Sequence, residues 1–353
     1  MGAAAQPAPP AGRIYPLQGG VALLPVAGGA DYQVQDEAGR VIRPWGPPGP
    51  DGRLRLPPGG WYRLIRRDAV GEAEALGGRF AAGLVILVTG QSQAAALFAT
   101  GPAASGAFPA GPGGAAAPPV AALLQGCAGR PGCGPDGTGW GPVGDRLGAR
   151  VLLGELSRRL GPGLPLGLAN GAWGGATPAD LADPAGPAGG NLRRIAQAAA
   201  PASAALILAH GTTDALLATP GEVYADRLRT IVATLRAAGG PGMPVLLAPL
   251  SPLDGQIRLL GSGSLATWLL PWDGTSAWLG LAPRRPLEPR TLAAAAAIRA
   301  SQAGLRQALG LREGGGMAAV APGLDGIHWT ADGVRTAARE AAAALAAALP
   351  PGP

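Results

Sequence analysis

The sequence predicts an α/β fold, a three-layer α/β/α arrangement around a parallel sheet, with a small β domain ahead of it. Three observations predict it. Leu84-Val85-Ile86-Leu87-Val88 is a continuous apolar run rich in β-branched residues, as expected of a strand buried on both faces. From there on, short apolar runs alternate with longer helical patterns, the signature of a parallel sheet covered on both faces. Before it, residues 13–68 carry short alternating runs separated by turn residues, which suit a small β-sandwich or meander.

Taken in order, residues 1–12 form a Pro/Ala tail expected to be disordered. Residues 13–78 are the expected β domain. Tyr32-Gln33-Val34-Gln35-Asp36 alternates, Gly39 turns, and Arg40-Val41-Ile42 resumes. Arg53-Leu54-Arg55-Leu56 alternates again, and Pro57-Pro58-Gly59-Gly60 leads into Trp61 to Arg66. Such an appendage either binds a ligand or packs on the main domain. The main domain is expected over 79–353. Residues 100–145 read as one long loop holding Cys127 and Cys133, whose spacing leaves room for a local disulfide. Arg146 to Leu160, Leu192 to Ala200, Glu222 to Ala238, Thr291 to Leu309 and a last segment to about Leu349 read as helices. Strands are expected near Leu164–Asn170, Ala204–Ala209 and Val245–Leu250. Residues 253–285 read as a second long loop, with Trp268, Trp272 and Trp278 either stacking on a ligand or packing as a lid.

Composition narrows the function. The 353 residues carry 47% hydrophobic side chains, 60 Gly and 38 Pro. The Gly and Pro lie mostly between periodic segments, so they mark long loops rather than a disordered chain. The net charge of +6 comes from arginine alone, and the arginines are scattered. A nucleic-acid footprint would be concentrated, so none is expected. No run of about twenty apolar residues suggests a membrane span. The first residues are not an intact signal peptide and read as a linker left after one. A periplasmic or secreted location is therefore expected, with a cytoplasmic one as the alternative. Two widely spaced histidines offer no metal-ligand cluster, and no cofactor motif is evident, so neither metal nor cofactor is expected.

The chemistry gathers at strand ends. After the buried run, Gly90 makes a turn, Ser92 follows, and Ala94-Ala95-Ala96 can start a helix at once. That geometry exposes a hydroxyl beside the free N–H groups of a helix start, which can hold a developing oxyanion. It is also the form of an ordinary strand–loop–helix junction. His328 lies three residues after Asp325, a spacing that lets a loop carboxylate reach Nδ1 while Nε2 faces outward. The same spacing serves a surface loop that caps a helix, with Thr330 as N-cap. His210 ends a strand and should share the edge with Ser92, as should the loop holding Gly174 and Gly175.

These blocks carry a resemblance. Gly90-Gln91-Ser92-Gln93 resembles the Gly-Gln-Ser-Asn block of the SGNH hydrolases, in particular the sialate O-acetylesterase-like carbohydrate esterases. Ala172-Trp173-Gly174-Gly175-Ala176-Thr177-Pro178 is similar to their Trp-Gly-Gly-Thr-Pro block, and Asp325-Gly326-Ile327-His328 to their Asp-x-x-His block. His210-Gly211-Thr212-Thr213-Asp214 stands where the family has Gln-Gly-Glu-Ser-Asp, and Ile298-Arg299-Ala300-Ser301-Gln302 where it has Ile-Arg-Glu-Ala-Gln. The likeness runs from about Gly83 to Ala348. It implies the flavodoxin-like SGNH fold and a serine esterase that removes O-acetyl groups from a carbohydrate. It implies Ser92 as nucleophile, His328 as general base and acid, and Asp325 as the orienting carboxylate. Ser92, Gly174 and Gly175 would line the oxyanion hole. His210 and Thr213 stand where the family places amide donors, and either can donate a hydrogen bond of different reach. Gln91, Gln93, Trp173 and Trp329, beside these positions, are expected to touch an acetylated carbohydrate.

Two other readings compete. Gly90-Gln91-Ser92-Gln93-Ala94 nearly spells the Gly-x-Ser-x-Gly elbow of α/β-hydrolases, but that elbow follows several strands and its acid lies far from its His. On the SGNH scaffold itself, an O-acetyltransferase or a carbohydrate-binding protein with a decayed site are the alternatives to hydrolysis.

Overall fold

The computed structural model describes residues 8–99, 121–126, 138–199, 203–253, 256–257, 285–315, 320 and 327–349. Asp325, Cys127, Cys133, Trp268, Trp272 and Trp278 lie outside these residues. The chain opens with six short strands: β1 (Ile14–Gln18), β2 (Val21–Pro25), β3 (Asp31–Asp36), β4 (Val41–Gly46), β5 (Arg53–Leu56) and β6 (Gly59–Arg67). The next, β7 (Ala73–Gly90), is 18 residues long and joins the two parts of the molecule. Its first half pairs antiparallel with β6, and Ala81–Gly83 pairs parallel with β1. The strand order here is β4-β3-β6-β7-β1-β2-β5. This β layer closes on its own core. Tyr32 and Val34 point inward while Gln33 and Gln35 point out, the alternation visible in the sequence. Leu24, Leu54, Leu56, Leu64 and Phe80 complete the cluster, with Tyr15 set edge-on to Phe80.

β7 runs unbroken through positions 78 and 79, where the sequence suggests a boundary. Its second half, from Leu84, is the central strand of a second region of the sheet. There it pairs in parallel with β10 (Leu166–Asn170) on one side and β11 (Ala205–Ala209) on the other. β11 pairs with β12 (Val245–Ala248), and β12 with β15 (Arg312–Glu313), all in parallel. On the other flank β10 pairs with β8 (Ala121–Gly126), whose antiparallel neighbour is β9 (Thr138–Gly141). The stretch expected to be one loop over 100–145 therefore contains two strands. Ala121-Ala122-Leu123-Leu124 is short and alanine-rich, with none of the β-branched residues that mark strands by propensity; its sheet neighbour β10 decides the conformation. Two-residue strands β13 (Gln256–Ile257) and β14 (Arg285–Pro286) pair separately.

Among the described residues the helices are α1 (Ser92–Ala96), α2 (Leu147–Leu160), α3 (Pro178–Ala182), α4 (Pro187–Ala199), α5 (Thr212–Leu216), α6 (Gly221–Gly239), α7 (Pro289–Leu309) and α8 (Ala331–Ala348). α4 begins five residues before the predicted start at Leu192, because Pro187 is preorganised for a first helical turn. Alternate residues of β7 feed two separate cores. Val85 and Leu87 meet Leu192 and Ile195 of α4, Leu228 of α6 and Ile298 of α7. Ile86 and Val88 meet Leu152 and Leu156 of α2 and the alanine face of α8. The small Ala337, Ala338, Ala341 and Ala342, all fully buried, let α8 lie close to α2. Each large side chain removed from water in these cores contributes about 1.5–3 kcal/mol. Among the described residues, no helix is long and apolar enough to cross a membrane.

Candidate active site

The parallel strands all end on one edge, and β7 ends at Gly90. Its φ of +132° is one that L side chains rarely adopt, and a Cβ there would lie 1.9 Å from the Ala209 carbonyl oxygen. The strand end is tied to both neighbours. Gln91 N–H donates to the Ala209 carbonyl at 3.1 Å, and the Gly90 carbonyl accepts from Trp173 N–H at 2.9 Å. α1 starts directly at Ser92, which is half-buried. The Ser92 hydroxyl donates to Gln93 Oε1 at 3.2 Å.

On the β10 side, Gly171 N–H continues the ladder to Val88 O at 2.9 Å, and Asn170 Oδ1 accepts from Ala172 N–H at 3.1 Å. The loop that follows is pinned at its base and open at its tip. Gly174 and Gly175 are exposed, Gly175 has φ +75°, and a Cβ at either would meet nothing within 4 Å. Thr177 closes the loop with a capping box. Its hydroxyl accepts from Asp180 N–H at 3.2 Å, and Asp180 Oδ2 accepts from Thr177 N–H at 2.7 Å. Trp173 is half-buried against the core beneath.

On the β11 side, two residues separate the strand from α5. Thr213 N–H donates to Gln91 Oε1 at 3.1 Å, and Thr212 Oγ1 accepts from Gln93 Nε2 at 2.9 Å. Thr213 is half-buried, whereas the His210 side chain is wholly buried. The His210 ring lies against Tyr224, and its Nδ1 is 3.5 Å from Asp214 Oδ2. Neither ring nitrogen and neither Asp214 oxygen makes a well-directed hydrogen bond among the described residues. Burial lowers the His210 pKa to about 4, against the Ala176 carbonyl and Asp180, which favour the charged form. Burial raises that of Asp214 to about 6, against Thr219 and Arg227. The His210 side chain is thus held inside, behind the open edge where the sequence expected a donor.

The fourth segment comes from the end of the chain. The Ile327 carbonyl accepts from Gln93 Nε2 at 3.5 Å, which brings residues 327–329 beside the Ser92 turn. His328, the next residue, is half-buried. Trp329 is buried, and its Nε1 donates to Ser251 Oγ at 3.1 Å, anchoring the segment past β12. Thr330 Oγ1 accepts from Gly333 N–H at 3.1 Å, the expected N-cap of α8. Of the residues expected to touch substrate, Gln91, Gln93 and Trp329 are buried and make these structural bonds, and Trp173 keeps an exposed part.

Gln302 supports the site, a role that its block in the sequence does not by itself reveal. Fully buried on α7, it accepts from Leu250 N–H at 2.8 Å and donates to the His210 carbonyl at 2.8 Å and the Tyr224 hydroxyl at 3.0 Å. It joins the ends of β11 and β12 to two helices. Its position in line with Ile298 and Leu305 on an apolar stripe is the signal that marks it. Among the described residues no group of His, Cys, Asp and Glu is arranged to hold a metal ion.

No protein-family model matches this chain, and no curated protein matches it. Solved structures do. The fold resembles that of a carbohydrate acetylesterase from Xanthomonas citri. The TM-score is 0.56 at 19% identity, over 95% of this chain and 72% of that one. A carbohydrate acetylesterase family member from Sinorhizobium meliloti aligns over 75% of this chain and 99% of its own, at 15% identity and a TM-score of 0.42. An aryl esterase from M. smegmatis aligns over 75% and 97%, at 14% identity and a TM-score of 0.41. The first likeness is one of fold.

Proposed function

We propose that this chain is a serine ester hydrolase of the SGNH type that removes O-acetyl groups from a carbohydrate. The observation that carries the reading is the meeting of two distant segments at one sheet edge: the turn bearing Ser92 and the segment bearing His328, joined through Gln93. In this reading residues 79–353 form a three-layer, flavodoxin-like hydrolase domain and residues 13–78 a small β domain in front of it. The motif resemblance and the fold of the Xanthomonas citri acetylesterase both support it.

The proposed reaction runs in two halves. His328 takes the Ser92 proton as Oγ attacks the ester carbonyl carbon, and the oxyanion forms facing the Ser92 N–H. The open loop offers the N–H groups of Gly174 and Gly175 to the same oxygen, and the half-buried Thr213 supplies the side-chain donor, since His210 points inward. The sugar oxygen leaves with the proton held by His328, and the acetyl group remains on Ser92 Oγ. Water, deprotonated by His328, then attacks the acyl carbon; the Ser92 oxygen leaves with that proton from His328, and acetate departs. Asp325 orients the imidazole. The exposed part of Trp173 borders the path of the sugar.

Hydrolysis of p-nitrophenyl acetate and of an acetylated oligosaccharide tests the reading. Wild type should hydrolyse both, and Ser92→Ala neither, with the same thermal melt. Turnover of the small ester alone would overturn the carbohydrate assignment. Turnover that survives in Ser92→Ala would overturn the mechanism.

A further inference from the structure

Gln93 is a buried side chain whose four hydrogen-bonding positions are all used. Oε1 accepts from the Ser92 hydroxyl and from Gln91 Nε2, both at 3.2 Å. Nε2 donates to Thr212 Oγ1 at 2.9 Å and to the Ile327 carbonyl at 3.5 Å. Turning the amide over would set its NH2 against the Gln91 donor and its oxygen against the Ile327 carbonyl, so the orientation is determined. Gln91 is held in turn by Thr213 N–H. One carboxamide therefore touches the proposed nucleophile, the start of α5 and the residue preceding His328.

We infer that Gln93 is a positioning residue: it sets the height of the 327–328 segment over the Ser92 turn and holds the resting serine hydroxyl by its proton. The inference rests on the proposed role of Ser92. In the resting protein the Ser92 O–H points to Gln93 Oε1. Catalysis then needs the hydroxyl to turn from the amide oxygen to the imidazole. Because the amide is buried and fully bonded within the protein, it has no hydrogen-bonding position left for a substrate. This differs from the substrate contact that its place beside Ser92 suggests.

Three variants test this alongside Ser92→Ala. Gln93→Asn keeps the amide on a shorter stem and cannot span Ser92, Thr212 and Ile327 together. A displacement of about 1 Å between reacting groups costs roughly a hundredfold in rate. The expected result is a kcat lower by about that factor, an unchanged KM, and slower labelling of Ser92 by a fluorophosphonate. Gln93→Glu keeps the shape but turns a carboxylate toward the Ile327 carbonyl. A negative charge there favours the protonated base, so the acid limb of kcat/KM should move to higher pH. Gln93→Met removes all four bonds at similar volume and serves if the Glu variant does not fold. A wild-type kcat with an unmoved pH profile overturns the inference, as does a rise in KM alone, which would mark a substrate contact. If Ser92→Ala keeps its activity, the serine reading itself fails, whatever the Gln93 variants do.

Discussion

Replacing Gly90 by alanine tests how tightly the serine turn is specified. A Cβ at this position would sit 1.9 Å from the Ala209 carbonyl oxygen, 2.7 Å from its carbon and 3.0 Å from its nitrogen. Real Cβ contacts essentially never fall below 3.0 Å, so the backbones must part by roughly an ångström. The contact is backbone on both sides, and no side chain can swing away. The φ of +132° adds about 1–3 kcal/mol of strain for a residue with a Cβ. Parting the strands also stretches the 3.1 Å bond from Gln91 N–H to Ala209 O, a loss of about 1 kcal/mol. Together the two terms give an expected destabilisation of about 2–4 kcal/mol, read from urea unfolding followed by circular dichroism. Ser92 lies two residues on, so the same displacement should lower kcat on p-nitrophenyl acetate about a hundredfold in protein that is still folded. An alanine variant with wild-type unfolding and wild-type turnover would refute the reasoning, because it would mean that the turn relaxes without moving the serine.

Other outcomes follow from the same geometry. Gln302→Leu strands Leu250 N–H, the His210 carbonyl and the Tyr224 hydroxyl in the core, each at about 1–3 kcal/mol, so urea unfolding should show a loss of at least 3 kcal/mol; a loss below 1 would refute the role. Thr177→Ala removes the capping box of α3 and should cost about 1 kcal/mol, with faster amide exchange over residues 174–181; unchanged exchange would refute it. The buried pair on the β11 side predicts a pH effect. His210, near 4 when folded, resists protonation, so its contribution is present above about pH 6.5 and lost as pH falls toward 4. Asp214, near 6 when folded, resists deprotonation, so its contribution is full below about pH 4 and lost as pH rises through 6. The two oppose each other between pH 4 and 6. Asp214→Asn leaves the histidine unopposed, so unfolding free energy should fall by about 3 kcal/mol from pH 6.5 to 4, more steeply than in wild type. Parallel curves for the two proteins would refute the opposition of the two groups.

Much of the fold can be read from local pattern. The alternation around Tyr32 and Val34 and the buried run from Leu84 to Val88 are periodicities of two and of none, and each is a property of a few adjacent residues. The helices of the second half show their apolar stripes in the same way, and Thr330 marks its helix start as an N-cap. What failed locally has a physical reason. Ala121–Gly126 has weak strand propensity and becomes a strand because β10 offers it a ladder. β7 serves both parts of the sheet, because a strand can continue from one core into another without any change in its own chemistry.

The site divides along the same line. The sequence by itself determined which residue types are present and their local settings: a serine after a glycine turn, a glycine-rich loop after a strand, a histidine just ahead of a helix. Only the tertiary structure decided that Gln93 reaches Thr212, 119 residues away, and Ile327, 234 residues away. It alone turned His210 inward against Asp214 and left Thr213 at the edge. No local periodicity encodes such pairings, because each is set by where parallel strands end and by which buried amide must find a partner there.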